Sequence, residues 1–164
     1  MVEGRKLTDV LHCEEGRIFC RAKKVMLAVD GSDASTRAAT VAFEVCEITG
    51  SKLLVIHVVP TPSVEQVAIM SELSRDEIMI KYRANGMSLI ERYEKEAEEY
   101  DIDVEGIFDE GLPSSRIIRQ AKDRDVDLIV MGSLGRGGNK KKTVIGSSTE
   151  RVIEGSDCPV LVTK

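Results

Sequence analysis

The feature that most constrains the fold is a regular alternation, from residue 24 onward, between short apolar runs and longer amphipathic segments. The short runs have the length of β-strands, and the longer segments have the apolar spacing of helices. Strands that alternate with helices form parallel sheets, because each helix returns the chain to the edge where the next strand begins. The five predicted strands are KVMLAV (24–29), LLVIHVV (53–59), DVEGIFDEG (103–111), VDLIVMG (126–132) and PVLVTK (159–164).

The first two of the four predicted helices precede the third strand. The first has Ser32 or Asp33 as its N-cap and ends at Gly50, a residue that readily adopts the left-handed conformation of a helix end. The second is a long amphipathic helix over 74–100. Residues 61–73 between the second strand and this helix are predicted to form an irregular connection.

The other two helices begin at Pro113 and at Ser147. Ser147 and Glu150 have the spacing of a capping box, and the last helix ends near Gly155. Five strands and four helices in strict alternation predict an α/β fold, an open doubly wound five-stranded parallel sheet with helices on both faces.

The composition indicates a single domain. The chain has 164 residues, of which 42% are hydrophobic and 31% are charged, the profile of a globular protein with one core. We place this domain at residues 23–164 and treat residues 1–22 as an N-terminal extension, because the alternation begins only at the first strand.

Charge, apolar runs and cysteines exclude several classes of function. A net charge of −5 argues against a general nucleic-acid-binding surface, and the apolar runs are far shorter than a membrane span. The first twenty residues lack a signal-peptide core, and the four cysteines form no C-x-x-C pair. We therefore expect a cytoplasmic protein with reduced thiols. His12, Cys13 and Cys20 match no common zinc spacing, so no metal-ligand set is predicted.

The ends of the predicted strands indicate where a ligand would bind. In an open parallel sheet, ligands bind outside the carboxyl ends of the strands, where the strand order reverses. Asp30, Val58 with Val59, and Gly132 with Ser133 occupy such ends. The first strand–helix turn, DGSDAS, contains neither G-x-G-x-x-G nor G-x-x-x-x-G-K-[ST]. A phosphate would therefore be bound elsewhere along this edge.

The stretch MGSLGRGGNKKKTVIGSSTERV (131–152) is the other candidate for phosphate binding. Its glycines and the N-terminus of the following helix could supply backbone N–H groups to an anion. The same glycines could simply let an exposed loop bend, with Ser147 as a helix cap. From the residues alone both interpretations stay open.

Several motifs, in the same order, resemble the universal stress protein family. They are KVMLAVDGSDAS, LLVIHVV, GLPSSRII, DLIVMGSLGRGG and IGSSTERVIEGSDCPVLV, and the resemblance covers about residues 23–164. It implies a five-stranded parallel sheet of order 3-2-1-4-5 and a homodimer paired through the last strand.

The ATP-binding branch of that family carries a pattern of Gly, two residues, Gly, nine residues and then Gly-Ser or Gly-Thr. Gly132 and Gly135 match the first two glycines, and Gly146 with Ser147 matches the end. Ten residues, 136–145, stand in place of nine.

The resemblance also implies roles for individual residues. Asp30 would contact the nucleotide or a metal-bound water, and the backbone of Val58 would read adenine. The implied nucleotide-binding residues are Ala28, Val29, Asp30, Val58, Met131, Gly132, Ser133, Gly135, Arg136, Gly146, Ser147 and Ser148.

The function implied by the resemblance is ATP binding, with Mg²⁺ or Mn²⁺, by a regulatory or stress-response homodimer whose surface changes with its nucleotide state. Two alternatives stay open: a protein-interaction module of the same fold that binds no nucleotide, and an enzyme that adenylates a substrate. The sequence shows no nucleophile–base pair, and His57 lies in a strand predicted to be buried. Enzymatic activity is thus at most a slow, metal-assisted hydrolysis of ATP.

Overall fold

The computed structural model describes residues 22–135 and 145–164, which form a five-stranded parallel sheet with helices on both faces. The order of the strands across the sheet is β3-β2-β1-β4-β5, and each neighbouring pair is parallel. The predicted α/β fold and strand order are thereby confirmed. The strands are β1 (Lys24–Ala28), β2 (Lys52–Pro60), β3 (Val104–Gly111), β4 (Leu128–Gly132) and β5 (Val160–Thr163).

The described residues form five helices, one more than the sequence predicted. None of them, within 22–135 and 145–164, is long and apolar enough to cross a membrane. They are α1 (Asp33–Thr49), α2 (Thr61–Met70), α3 (Arg75–Glu98), α4 (Pro113–Asp123) and α5 (Ser147–Gly155).

The additional helix is α2, and the irregular connection predicted for residues 61–73 is wrong. Pro62 lies in the first turn of α2, where its fixed φ and missing N–H cost nothing. Val64 is buried, whereas Ile69 and Met70 are largely exposed. Because the apolar residues of α2 do not share a buried face, no helical period marks this segment in the sequence.

Two core layers cover the two faces of the sheet. Val25, Leu27 and Val29 pack with residues of α1 and α3 on one face. Met26 and Ala28 pack with residues of α4 and α5 on the other. Successive residues of a strand point to opposite faces, so a strand covered by helices on both sides is apolar throughout. This accounts for the nearly continuous apolar runs of β1 and β2.

The local signals at the ends of α1 hold as the sequence predicted. The Ser35 N–H donates to the Ser32 hydroxyl oxygen at 3.1 Å, which makes Ser32 the N-cap. Gly50 ends the helix with φ +67°. Burial raises the pKa of the Cys46 thiol, on the inner face of α1, to about 12. That thiol is therefore protonated at neutral pH.

His57 is a buried residue of β2, as predicted. Its Nδ1 lies 2.9 Å from the carbonyl oxygen of Val29, close enough for a hydrogen bond across the strands. Gly86 of α3 packs directly on the ring, since a Cβ at Gly86 would lie 2.5 Å from His57 Cδ2. The imidazole is thus enclosed between β2 and α3, which fits a core role and not that of a catalytic base.

Candidate functional site

The carboxyl ends of β1 and β4 form the crevice in which the predicted site residues meet. These two strands are neighbours, but β1 leads to β2 on one side of the sheet and β4 leads to β5 on the other. The strand order therefore reverses between them, the position at which such sheets bind ligands. Ala28 of β1 pairs with Met131 of β4, so both lie on the wall of this crevice.

Asp30 follows β1 and lies against the glycine turn that follows β4. Its Oδ1 accepts a hydrogen bond from the Ser32 N–H at 3.0 Å. This bond stabilises the turn that leads into α1. Its Oδ2 lies 2.8 Å from the position that a Cβ would take at Gly135. A side chain at Gly135 would therefore displace the carboxylate. The structure brings together these two residues, which the sequence places far apart.

The two ends of the loop that contains residues 136–144 are joined directly. The Gly146 N–H donates to the Ser133 carbonyl oxygen at 2.8 Å. A Cβ at Gly146 would lie 3.7 Å from the Gly135 nitrogen, so the two glycines also face each other. Arg136, the remaining residue predicted for this end of the site, lies outside the described residues.

No side chain within residues 22–135 and 145–164 caps the N-terminus of α5. Gly146 is its N-cap residue, and Ser147 is the first residue with helical geometry. The predicted capping box at Ser147 and Glu150 is therefore wrong, because the hydroxyl of such a box must belong to the N-cap residue. Serine caps the N-termini of α1 and α3. Helix geometry gives the first N–H groups of α5 no acceptor within the helix.

Gly132 is required for packing. A Cβ at this position would lie 2.7 Å from the Cβ and 2.8 Å from the carbonyl carbon of Ala34. It would also lie 3.0 Å from the Ser35 nitrogen. Two of these three atoms belong to the backbone of α1 and cannot rotate away. From the sequence, Gly132 was predicted only as a nucleotide-binding residue. The contact between β4 and α1 is a separate reason for glycine at this position.

Val58 lies just beyond the last residue of β2 that β1 covers. The register between the two strands ends at Ala28 opposite Ile56. The Ile56 carbonyl accepts a hydrogen bond from the Val29 N–H at 2.9 Å, so even-numbered residues of β2 direct their backbone groups toward β1. Val58 consequently presents its N–H and C=O to the side of β2 where β1 has ended. Its side chain is buried on the face covered by α4.

Hydroxyl groups that sequence reasoning did not assign to the site connect its elements. Each donates to a backbone carbonyl of another element or loop, and local sequence contains no signal for such a partner. The bonds are Ser32 Oγ to Leu134 O (3.4 Å), Thr149 Oγ1 to Gly132 O (2.9 Å) and Thr163 Oγ1 to Ala34 O (3.3 Å).

The acidic side chains at the end of β3 are paired with neighbouring side chains. Glu110 accepts hydrogen bonds from the Arg83 guanidinium at 2.6 and 3.1 Å, which lowers the pKa of Glu110. Asp109 accepts a hydrogen bond from the Gln120 amide at 2.8 Å, and one of its oxygens lies 3.8 Å from Arg116 Nε. These pairs tie β3 to α3 and α4, so we assign them a structural role.

Comparison with known proteins identifies the family. The model of the Universal stress protein family matches residues 21–164. The chain belongs to this family. Among curated relatives, the Universal stress protein YxiE of Bacillus subtilis is 32% identical over 146 residues, and the match covers 86% of this chain and 98% of the relative. The resemblance drawn from the sequence motifs is thus confirmed.

Solved structures of universal stress proteins share the fold. Protein MJ0577 of Methanocaldococcus jannaschii is 29% identical, with a TM-score of 0.76 over 87% of this chain and 96% of that one. A universal stress protein of Archaeoglobus fulgidus, solved with dAMP, is 22% identical with a TM-score of 0.61 over 88% of this chain and 99% of that one. A universal stress protein solved with cAMP is 21% identical, with a TM-score of 0.60 over 87% of this chain and 96% of that one. At these identities the last two show the fold alone.

The two glycines of the crevice should respond differently to alanine. Gly132→Ala places a methyl group 2.7 Å from Ala34 and should lower the free energy of unfolding by about 1–3 kcal/mol. Gly146→Ala has 3.4 Å to the nearest atom and a φ of −65°, so only the poorer N-capping of alanine counts and the change should stay below about 1 kcal/mol. Urea unfolding of the two variants measures both effects. Equal effects would contradict the packing of β4 on α1.

Proposed function

We propose that this universal stress protein binds ATP in the crevice between β1 and β4 and acts as a nucleotide-dependent regulatory or stress-response protein in the cytoplasm. The observation that carries the proposal is the uncapped N-terminus of α5 beside the glycine turn that follows β4. Two proteins of the same fold have been solved with dAMP and with cAMP, and an adenine nucleotide is the class of ligand that we propose for this chain.

The phosphate groups would lie at the N-terminus of α5. The N–H groups of Ser147 and Ser148 belong to the first turn and have no acceptor within the helix. A helix N-terminus also carries partial positive charge, which favours an anion. Gly135 and Gly146 add no side chain to this space, and the hydroxyls of Ser133, Ser147 and Ser148 are further donors.

The base would pair with the backbone of Val58. Its N–H suits the acceptor N1 of adenine, and its C=O suits the adjacent N6 amine. Guanine presents a donor at N1 and an acceptor at O6, so the same two backbone groups would face like groups. The apolar wall for the base would come from Ala28, Val29 and Met131, all of which are buried at this edge.

Asp30 would accept hydrogen bonds from the ribose or hold a divalent cation. Within residues 22–135 and 145–164, no group of three or more His, Cys, Asp or Glu side chains could hold a metal ion. Mg²⁺ in nucleotide sites is commonly held by one or two carboxylates together with phosphate oxygens and water. A single aspartate at the crevice fits that arrangement, for Mg²⁺ or Mn²⁺, and such an ion would offset the charge of the phosphates.

Nucleotide binding can be tested on the purified protein. Denaturation should release an adenine nucleotide, detected by chromatography and mass spectrometry, and the stripped protein should bind ATP with Mg²⁺ in a titration. Gly146→Val should weaken this binding by about tenfold or more, because its methyl groups would enter the phosphate space. Gly146→Ala is the matched control, with the smallest side chain at the same position.

Two other outcomes would contradict this proposal. A wild-type protein that carries no nucleotide and binds none at millimolar ATP would favour the alternative that the longer loop suggests, a protein-interaction module of the same fold. A folded Gly146→Val variant with unchanged affinity would remove the phosphate role from this turn.

The charge of Asp30 can be separated from its role in the turn. Asp30→Asn keeps an oxygen that accepts from the Ser32 N–H, so the turn should persist. We expect ATP affinity in the presence of Mg²⁺ to fall by about ten- to a hundredfold, the range for losing a hydrogen bond to a charged group. Asp33→Asn, an exposed carboxylate in the same turn region, makes the same change in net charge. Equal losses in both variants would show that Asp30 acts only through long-range charge.

We further propose that the protein is a homodimer paired through β5, which is an edge strand of the sheet. Thr163 faces β4, since its carbonyl accepts from the Ser133 N–H, so Val160 and Val162 direct their backbone groups outward.

Sedimentation should give the mass of two chains. Val162→Pro removes an outward N–H and should yield monomers, and a folded variant that stays dimeric would place the interface elsewhere.

A further inference from the structure

The hydroxyl of Thr149 joins α5 to the end of β4. Thr149 is the third residue of α5 and is 3% exposed. Its Oγ1 donates to the Gly132 carbonyl oxygen at 2.9 Å. A buried hydroxyl that found no acceptor would lose its hydrogen bonds to water without a replacement, which costs free energy. The bond to Gly132 therefore holds the Thr149 side chain in one orientation.

A second hydrogen bond holds the same helical turn. The Gly146 N–H donates to the carbonyl of Ser133, the residue after Gly132. Two bonds, from the N-cap and from the third residue of α5, therefore reach two consecutive carbonyls at the end of β4. One turn later, Val152 is fully buried in the core beneath α5. Together these contacts fix both the position and the rotation of the helix N-terminus.

We propose that Thr149 is a positioning residue for phosphate binding. Its hydroxyl holds the first turn of α5 against β4, and thereby keeps the N–H groups of Ser147 and Ser148 directed at the polyphosphate. This inference rests on the proposed ATP site. Thr149 acts through the orientation of the helix, because its own hydroxyl is already bonded to Gly132.

Loss of the Thr149 hydroxyl should affect the binding of the phosphates more than the binding of the base. The proposed base contact is on β2, which is separated from β4 by β1, and Thr149 makes no bond to it. The phosphate contacts are on the turn that Thr149 holds. Removing the hydroxyl should therefore weaken ATP more than adenosine, which has no phosphate. A merely structural role would lower stability without changing the ratio of the two affinities.

The experiment compares three threonine variants by calorimetric titration with ATP plus Mg²⁺ and with adenosine. Thr149→Val replaces the hydroxyl by a methyl group of similar size, and Thr149→Ser restores a hydroxyl. Thr49→Val is the matched control, because Thr49 Oγ1 donates to the Val45 carbonyl at 2.7 Å at the far end of α1. Thr149→Ala takes the place of Thr149→Val if the latter does not fold.

Thr149→Val should weaken ATP binding by about three- to tenfold and leave adenosine within about twofold. Thr149→Ser should bind both ligands like the wild type, and Thr49→Val should change neither affinity. The positioning role is overturned if a folded Thr149 variant binds ATP as the wild type does, or loses ATP and adenosine equally. A wild-type protein that binds no ATP overturns the proposed function and this inference together.

Discussion

The candidate site depends on the close approach of β4 to the first turn of α1. Gly132 has no side chain, and a Cβ there would meet backbone atoms of Ala34 and Ser35. The approach sets where α1 begins, and with it the position of Asp30, which is hydrogen-bonded to the N-cap residue of that helix. It also leaves Asp30 against Gly135, one turn after β4. A side chain at position 132 would therefore separate the two halves of the crevice before any ligand was involved.

Ser133 connects the proposed phosphate end of the crevice to the edge of the sheet. Its N–H donates to the Thr163 carbonyl at 2.7 Å, and its own carbonyl accepts from the Gly146 N–H at 2.8 Å. The end of β5 and the N-cap of α5 are thus joined through one residue. In the proposed dimer, a ligand that shifts the N-terminus of α5 would also shift β5, because these two hydrogen bonds connect them through Ser133. Such a link gives a physical basis for a nucleotide-dependent change at the partner surface.

The sheet was predictable from the sequence because strands buried on both faces must be apolar throughout, as β2 is. The start and end of α1 were also predictable, since Ser32 and Gly50 act locally. The order of the strands followed from the family resemblance and not from any residue pattern. What sequence reasoning missed were contacts between distant segments, such as the bond from Thr149 to Gly132, 17 residues apart, because no local period records them.

The additional residue in the glycine loop is a weak argument against ATP binding. Loop-closure entropy grows as (3/2)RT ln n, so ten residues in place of nine cost only about 0.1 kcal/mol. The ends of the loop are held independently of its length, because Gly146 is bonded to Ser133 and Thr149 to Gly132. The directions of the N–H groups at α5 follow from those two bonds. In the proposed site, phosphate binding would therefore depend on how α5 is attached to β4 more than on the number of residues between Gly135 and Gly146.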